Sequence, residues 1–200
     1  MPATPTLPAY DAIVLAGGAG RRMGSRDKAA LVVGGRPLGA RVRAAIDGAT
    51  QVVLVGPDRS WLAADVVTRE DPPGAGPLAA VAAGLIHVAR PVVVVVAVDL
   101  PFLGRAHVDA LRTALAENPA ADVALAVDDL GHDQHLVAAW RADSLLARVA
   151  ALGRLANRPL RGLLDGAAVR RLTMPSAPGT PPPWFDCDTE QDLNEAEAWT

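Results

Sequence analysis

The hydrophobic pattern of the chain is a series of short apolar runs separated by longer segments in which polar and apolar residues mix. Residues 92–98 hold six valines in seven positions, with no polar residue among them. Because β-branched residues favour the pleated backbone, this run predicts a strand, and its lack of polar alternation predicts that both faces are covered, as in a parallel sheet between helices. Runs of this kind predict strands at residues 12–16, 51–55, 65–69, 92–98, 123–127, 136–139 and 169–172.

The segments between these runs carry the signals of helices. Val108, Leu111 and Leu115 fall on one helical face, and Pro37 is expected to open a helix because proline suits the first helical turn. The last helix is expected from Glu190, with the preceding Asp188 or Thr189 as its cap. Strands that alternate with helices predict an α/β three-layer sandwich with a mostly parallel sheet. The predicted helices cover residues 37–47, 77–88, 105–117, 145–152, 159–164 and the chain from 190, with a polar loop at 128–134 and a proline-rich loop at 175–183.

The composition indicates one globular domain in an aqueous compartment. The chain has 200 residues, half of them hydrophobic, and a net charge of −3. This length suits a single domain at residues 10–200, preceded by a flexible N-terminal tail at residues 1–9. The small negative charge argues against nucleic acid or an anionic membrane as a partner, and no apolar run approaches the roughly 20 residues of a membrane helix. The N-terminus lacks the basic and apolar parts of a signal peptide, so we expect a cytoplasmic location.

A glycine-rich, basic loop follows the first predicted strand at residues 15–28. Its glycines let the backbone approach an anion, and its cations, among them Arg22 and Lys28, can neutralise phosphates. Lys28 is the only lysine among the 19 basic residues of the chain. The loop does not match the dinucleotide fingerprint, since Met23 stands where the third glycine belongs, and it lacks the Gly-Lys-Ser/Thr of a P-loop. It therefore indicates a phosphate site of a third kind, with a solvated basic turn as the alternative.

Two acidic residues follow predicted strands, where open α/β sheets bind ligands. Asp99 comes directly after the valine run, and its hard carboxylate suits a Mg²⁺ ion that arrives with a nucleotide. An aspartate at this place can also simply cap a turn. Asp71 opens a Pro/Gly loop whose backbone can contact a base or ribose, although a plain turn is the simpler interpretation.

Near the C-terminus, Asp186 and Asp188 flank Cys187, the only cysteine of the chain. Alternation along an extended segment places both carboxylates on one side, where they can share a metal or a substrate, or cap the following helix. The acids disfavour a thiolate, so Cys187 is not proposed as a nucleophile, and a lone cysteine excludes an internal disulfide. His132 and His135 lack identifiable further ligands for zinc.

Taken together, these motifs resemble the molybdenum cofactor guanylyltransferases, a family of nucleotidyltransferases. The pattern Leu-Ala-Gly-Gly-x-x-x-Arg-Met-Gly-x-x-Asp-Lys of that family is matched at every fixed position by residues 15–28. Further segments resemble later motifs of the family, so the likeness spans nearly the whole chain. These segments are residues 35–38, 71–79, 98–102, 134–136 and 188–193.

The resemblance implies a Rossmann-like nucleotidyltransferase fold and a Mg²⁺-dependent transfer of GMP from GTP to molybdopterin, with release of pyrophosphate. It implies that Arg22, Lys28 and Asp99 are catalytic and that Asp99 binds Mg²⁺. It places Gln134, Asp186 and Asp188 on the acceptor side, and it implies transient contact with a molybdate-insertion protein or with recipient enzymes. The nucleotide-binding residues that it implies are Leu15, Ala16, Gly17, Gly18, Lys28, Asp71 and Asp99.

The chain departs from the guanylyltransferase pattern near its closing motif. Asp186 and Asp188 stand where that pattern usually has asparagines, and the related cytidylyltransferases resemble the chain better there. His135 and Glu190 replace prolines. One alternative is therefore a related nucleotidyltransferase that uses CTP with molybdopterin, or another phosphorylated acceptor. A second alternative is a nucleotide-binding accessory protein without turnover, against which the presence of both Lys28 and Asp99 argues.

Overall fold

Strands and helices alternate along the part of the chain that the computed structural model describes, which is residues 7–17, 26–174 and 181–200. The strands are β1 (Tyr10–Leu15), β2 (Val32–Val33), β3 (Arg36–Pro37), β4 (Val52–Val55), β5 (Val66–Thr68), β6 (Val92–Ala97), β7 (Val123–Val127), β8 (Asp133–Arg141) and β9 (Val169–Thr173). The helices are α1 (Leu38–Ala45), α2 (Pro77–Leu85), α3 (Arg105–Glu117), α4 (Ala142–Leu152) and α5 (Glu190–Ala198). Short 3₁₀ helices cover Lys28–Ala30, Ser60–Leu62 and Leu160–Leu164.

The main sheet has seven strands in the order β5-β4-β1-β6-β8-β7-β9. The pairs β5–β4, β4–β1, β1–β6 and β7–β9 are parallel, whereas β8 runs antiparallel to both of its neighbours. The connection from β7 to β8 is too short for a crossover, so β8 must reverse direction. The carboxyl ends of all the other strands, and the beginning of β8, therefore meet at one edge of the sheet.

The core divides into two layers because successive residues of each strand point to opposite faces. Ala12, Val14 and Leu54 belong to the cluster on the face covered by α1 and α3. Ile13 and Val53 belong to the cluster on the other face, which includes residues of α2 and α4. All six residues of β1 and all six of β6 are buried. The three-layer α/β arrangement with a mostly parallel sheet is thereby confirmed.

The described structure corrects the expected elements at two places. The strand expected at 136–139 extends over Asp133–Arg141, so Gln134 lies in β8 and not in a loop. Pro37 ends β3 with an extended backbone and precedes α1, because β2 and β3 form a hairpin that was not expected. Gly34 and Gly35 form its turn, with φ of +55° and +71°, which glycine adopts without steric cost.

The C-terminal helix agrees with its expected start, since α5 begins at Glu190 with Thr189 as its N-cap. No helix within the described ranges is long and apolar enough to cross a lipid bilayer. Of the proline-rich loop, residues 175–180 lie outside the described residues, as do residues 1–6. The division into a domain at 10–200 and a tail at 1–9 stays a prediction.

Candidate active site

The exits of β1, β4 and β6 form the floor of the candidate site. Val98 donates a backbone hydrogen bond to the Leu15 carbonyl at 3.0 Å, and Ala16 donates one to the Val55 carbonyl at 2.9 Å. These bonds continue the sheet pairing just past the strand ends. Gly17 and Asp99 therefore lie side by side where the chain leaves β1 and β6. This is the crevice in which open α/β sheets bind their ligands.

Lys28 returns to this edge in the 3₁₀ helix that closes the glycine-rich loop. The Oδ1 atom of Asp27 accepts a bond from the Ala29 amide at 3.1 Å and so caps the turn. The Nζ atom of Lys28 donates to Oδ2 of Asp99 at 2.7 Å and also to Oδ1 of Asp188. Burial opposes the charge of Lys28, but the two carboxylates outweigh it and raise the pKa of the ammonium above its usual value.

Asp188 reaches Lys28 because a backbone hydrogen bond and a capping box hold residues 186–192, the closing segment, in place. The Cys187 amide donates to the Asp99 carbonyl at 3.1 Å, which ties this segment to the exit of β6. The amides of Asp188 and Thr189 both donate to Oδ2 of Asp192, and the Asp192 amide donates to Oγ1 of Thr189. Thr189 is therefore the cap, and the side chain of Asp188 is left to pair with Lys28.

Two groups just before Asp188, the carboxyl of Asp186 and the thiol of Cys187, are shifted toward their neutral forms. Burial raises the pKa of Asp186, and the nearby charges of Asp188 and Asp99 raise it further. Burial, reinforced by Asp99 and other carboxylates, raises the pKa of the Cys187 thiol to about 12. The thiol is thus protonated at neutral pH, which disfavours a nucleophilic role.

The carboxylates of Asp99 and Asp188 suit a divalent cation. Both contact one atom, Nζ of Lys28, so their oxygens converge on a single point. Carboxylate oxygens are the ligands that Mg²⁺ prefers, and Mg²⁺ is usually held by one or two carboxylates together with substrate phosphates. The side chain of Asp99 is the more deeply buried of the two, at 13% exposed against 40% for Asp188. The donor set therefore fits the metal that the sequence analysis expected at Asp99.

Asp71 and its neighbour Glu70 follow β5 at the same edge but occupy different surroundings. Asp71 is exposed and lines a groove of about 500 Å³ that runs beside α2. Glu70 is buried, and its Oε1 atom accepts a bond from the Gly74 amide at 2.9 Å. A Cβ placed on Gly17 would lie 3.9 Å from both carboxylate oxygens of Glu70. Glu70 thus holds the loop after β5 through Gly74 and lies close to Gly17 at the β1 exit, a placement that the sequence did not predict.

Arg59 is the second residue of this edge that the sequence analysis missed. Its guanidinium is buried and forms a bidentate ion pair with Asp27, next to Lys28. Nothing in the local sequence distinguishes Arg59 from the other arginines, because its partners come from distant segments. Glu70 likewise directly precedes Asp71 in the sequence, and only the fold shows that Glu70 is buried whereas Asp71 is exposed.

Gln134 lies at the same edge of the sheet but contacts a different group. Its Nε2 atom donates to Oδ2 of Asp128 at 3.3 Å. Asp128 also accepts bonds from the amides of Leu130 and His132, so it organises the loop between β7 and β8. Among the described residues, therefore, the hydrogen bonds of Gln134 join this loop and not the Lys28–Asp99–Asp188 group.

Two residues of the expected site, Gly18 and Arg22, lie outside the described residues. The structure brings together Leu15, Ala16, Gly17, Lys28 and Asp99, and it adds Asp188 to them. Asp71 follows β5 and Gln134 lies at the start of β8, both at the same edge of the sheet, and Asp186 is close enough to Asp99 and Lys28 for their charges to act on its pKa. The roles assigned to these residues stay predictions.

A Rossmann-like sheet with a basic loop after its first strand and a carboxylate after β6 defines an α/β nucleotide-binding protein. The particular family follows from comparison with known sequences. The chain belongs to the family described as "MobA-like NTP transferase domain", whose model matches residues 12–172. This confirms the resemblance on which the sequence analysis drew.

The relatives of the chain carry consistent names. A Rhizobium meliloti (strain 1021) protein named molybdenum cofactor guanylyltransferase is 32% identical over 201 residues, which cover 94% of this chain and 90% of that protein. A Bradyrhizobium sp. (strain ORS 278) protein of the same name is 36% identical over 206 residues, covering 96% and 93%.

Solved structures share the fold at lower sequence identity. Molybdopterin-guanine dinucleotide biosynthesis protein A from Archaeoglobus fulgidus superposes with a TM-score of 0.65 at 22% identity, over 94% of this chain and 97% of that one. The 2-C-methyl-D-erythritol 4-phosphate cytidylyltransferase of Thermus thermophilus gives 0.68 at 22% identity, over 93% and 96%. Since these two proteins differ in base and acceptor by name, the fold alone does not select a substrate.

Proposed function

We propose that this protein transfers GMP from GTP to molybdopterin and releases pyrophosphate. The observation that carries the proposal is the convergence of Lys28, Asp99 and Asp188 at the exit of the nucleotide loop. Membership of the MobA-like NTP transferase family supports the reaction class, and the names of the relatives support GTP and molybdopterin as substrates.

The bonds that form and break in this reaction require little general acid or base catalysis by the protein. A phosphate oxygen of molybdopterin attacks the α-phosphorus of GTP, and a new P–O bond forms. The bond between the α-phosphorus and the oxygen that bridges to the β-phosphorus breaks, and its electron pair leaves with pyrophosphate. Because the acceptor phosphate is already an anion, no general base has to remove a proton.

The proposed work of the residues is alignment and charge compensation. The backbone of Leu15, Ala16 and Gly17 approaches the nucleotide. For Gly18 and Arg22, which lie outside the described residues, the family resemblance implies nucleotide binding and contact with the phosphates. Lys28 donates to phosphate oxygens in place of its present carboxylate partners. Such preorganised donors stabilise charge that develops in the transition state.

Asp99 would hold Mg²⁺ together with the nucleotide, with Asp188 beside it. When bound, Mg²⁺ neutralises charge on the reacting phosphates. Asp71 contacts the nucleotide from the loop after β5, and Gln134 and Asp186 face the acceptor. Transient contact with a molybdate-insertion protein or recipient enzymes, and a cytoplasmic location, stay predictions.

The test is pyrophosphate release by the purified protein with Mg²⁺ and molybdopterin, supplied with GTP or CTP in parallel. The proposal predicts release with GTP and little with CTP. Asp99→Asn should lose this activity, whereas Asp47→Asn, on an exposed residue outside the site, should keep it. Preference for CTP would contradict the choice of base and point to Asp186 and Asp188. Nucleotide binding without release from either triphosphate would contradict the transferase proposal and favour an accessory protein.

A further inference from the structure

Among the basic residues that the structure describes, only Arg59 is buried, with 9% of its surface exposed. A buried guanidinium is costly unless all of its charge and hydrogen-bonding capacity is compensated. Arg59 lies in the loop after β4, just before the 3₁₀ helix Ser60–Leu62, and is not among the residues proposed to contact a substrate. The groups that bind the Arg59 guanidinium therefore indicate its role.

Arg59 contacts both ends of the glycine-rich loop at residues 15–28, which is the nucleotide loop of the proposed function. Its Nε and Nη2 atoms donate to the two oxygens of the Asp27 carboxylate, at 2.7 and 2.6 Å. Nη2 also approaches the Ala16 carbonyl at 3.5 Å, and Nη1 donates to the Pro57 carbonyl at 2.9 Å. One planar group thus reaches Ala16, where the loop leaves β1, and Asp27, where the loop returns.

Close packing of the backbone sets the position of Arg59 against β1. A Cβ on Gly56 would lie 2.8 Å from the carbonyl carbon of Ala16, a distance that no side chain tolerates. The exit of β4 therefore runs directly along the exit of β1, with a glycine at the contact. From there the chain needs only three further residues to bring the guanidinium between Ala16 and Asp27.

The bond from Arg59 to Asp27 acts on Lys28 through the 3₁₀ turn. The same Asp27 carboxylate that binds Arg59 caps this turn through the Ala29 amide at 3.1 Å, and Lys28 is the first residue of the turn. The hydrogen bond from Arg59 holds the pKa of Asp27 below its usual value, so the carboxylate stays ionised as a cap.

We propose that Arg59 is a positioning residue that clamps the two ends of the nucleotide loop together and so holds Lys28 at the edge of the sheet, where it can donate to phosphate. This inference rests on the proposed use of Lys28 toward a nucleotide. Arg59 itself contacts no phosphate, and its effect passes through Asp27 and the turn that Asp27 caps.

The test compares Arg59→Ala and Arg59→Lys with Arg112→Ala. Arg112 is a matched control, because it also combines a carboxylate partner, Asp109, with a backbone carbonyl, that of Pro8, but lies at the opposite edge of the sheet. Circular dichroism first identifies a temperature at which all variants are folded. The affinity for Mg-GTP is then measured by calorimetry, and kcat and KM by pyrophosphate release.

Both Arg59 variants are expected to bind Mg-GTP about 10- to 100-fold more weakly than the parent, the range seen when an orienting partner of a binding group is lost. Lysine restores the charge but cannot form the bidentate hydrogen bond to Asp27, so Arg59→Lys should recover little of the affinity for Mg-GTP. Arg112→Ala should lower the melting temperature and leave affinity unchanged. Asp27→Asn should act like Arg59→Ala, and the double variant should be no weaker than the single ones, because both remove one connection.

Unchanged affinity and kcat/KM in both Arg59 variants would overturn the positioning role while leaving the proposed function intact. Additive losses in the double variant would overturn the route through Asp27. If the parent binds Mg-GTP but releases no pyrophosphate, and Arg59→Ala still weakens binding, the proposed reaction fails and the positioning role stands. A parent that does not bind Mg-GTP overturns both.

Discussion

Replacing Lys28 with methionine removes a cation that bonds to both Asp99 and Asp188, and it keeps a side chain of similar length. The side chain of Lys28 is 19% exposed, and that of Asp99 is 13% exposed. The pair is thus well shielded from water on both sides, unlike an ordinary surface salt bridge. Methionine leaves the hydrocarbon packing nearly intact, so the variant isolates the charge.

The cost in stability can be worked out from the two lost contacts. A hydrogen bond to a charged group contributes about 1.5–3 kcal/mol net, which applies to the 2.7 Å bond between Lys28 and Asp99. The partly exposed contact with Asp188 adds about 1 kcal/mol or less. The free energy of unfolding should therefore fall by about 3 kcal/mol. For a chain of this size that corresponds to a melting temperature lower by about 6–12 °C.

The pH dependence of this difference has a definite sign. The pKa of Lys28 is raised above its unfolded value of 10.5. Its contribution is therefore fully present below that value and is lost as the pH rises through the folded-state pKa. The difference in unfolding free energy between the parent and Lys28→Met should be constant from neutral to mildly alkaline pH. It should become smaller as the pH rises through the folded-state pKa of Lys28.

The effect on turnover is larger than the effect on folding. Loss of a preorganised donor to developing charge typically lowers the rate about 10²- to 10³-fold, so kcat/KM for pyrophosphate release should fall by that much. Thermal unfolding and pyrophosphate release are measured on the same preparations. Arg105→Met serves as control, since it removes an exposed cation paired with Asp47 and should change either quantity little. Lys28→Met with kcat/KM within about threefold of the parent would refute the role assigned to Lys28.

Three further predictions rest on individual contacts. Asp99→Asn should lower kcat/KM about 10²- to 10³-fold and weaken the dependence on Mg²⁺ while leaving the melting curve cooperative, as a Mg²⁺ titration of pyrophosphate release would check. Asp122→Ala should cost about 2 kcal/mol in urea unfolding at neutral pH, because the carboxylate accepts from the Ala168 amide and two side chains. Since the pKa of Asp122 is lowered from 3.8, that difference should shrink as the pH falls through the folded-state pKa, and a constant difference would contradict it. Gly84→Ala should cost about 1–3 kcal/mol without affecting turnover, because the new Cβ would lie 2.8 Å from Cγ2 of Ile13.

The strands of the sheet were predictable where their environment matches their local sequence. The valine run of β6 is buried on both faces, and its composition indicated this directly. The first half of β8 is different, because Asp133 and Gln134 pair only with β7, beyond the end of β6. Polar residues are tolerated there since the strand has left the core, and the polar composition was interpreted as a loop.

The β2–β3 hairpin carried a local signal that was not used. Gly34 and Gly35 between short apolar segments are typical of a two-residue hairpin turn. The signal is weak by itself because each strand has only two residues. Tertiary contacts stabilise the hairpin, among them a bond from the Gly34 amide to Glu197 of α5 at 2.8 Å.

The sequence by itself determined the alternation of strands and helices, the glycine-rich loop after β1 and the acidic residue after β6, because each depends on neighbouring positions in the chain. Only the tertiary structure decided which distant groups meet. Lys28 and Asp188 are 160 residues apart, and Arg59 and Asp27 are 32 apart. Their pairing depends on strand order, which brings the exits of β1, β4 and β6 together. The burial that makes Arg59 and Glu70 significant is likewise a property of the packed sheet edge and not of any single segment.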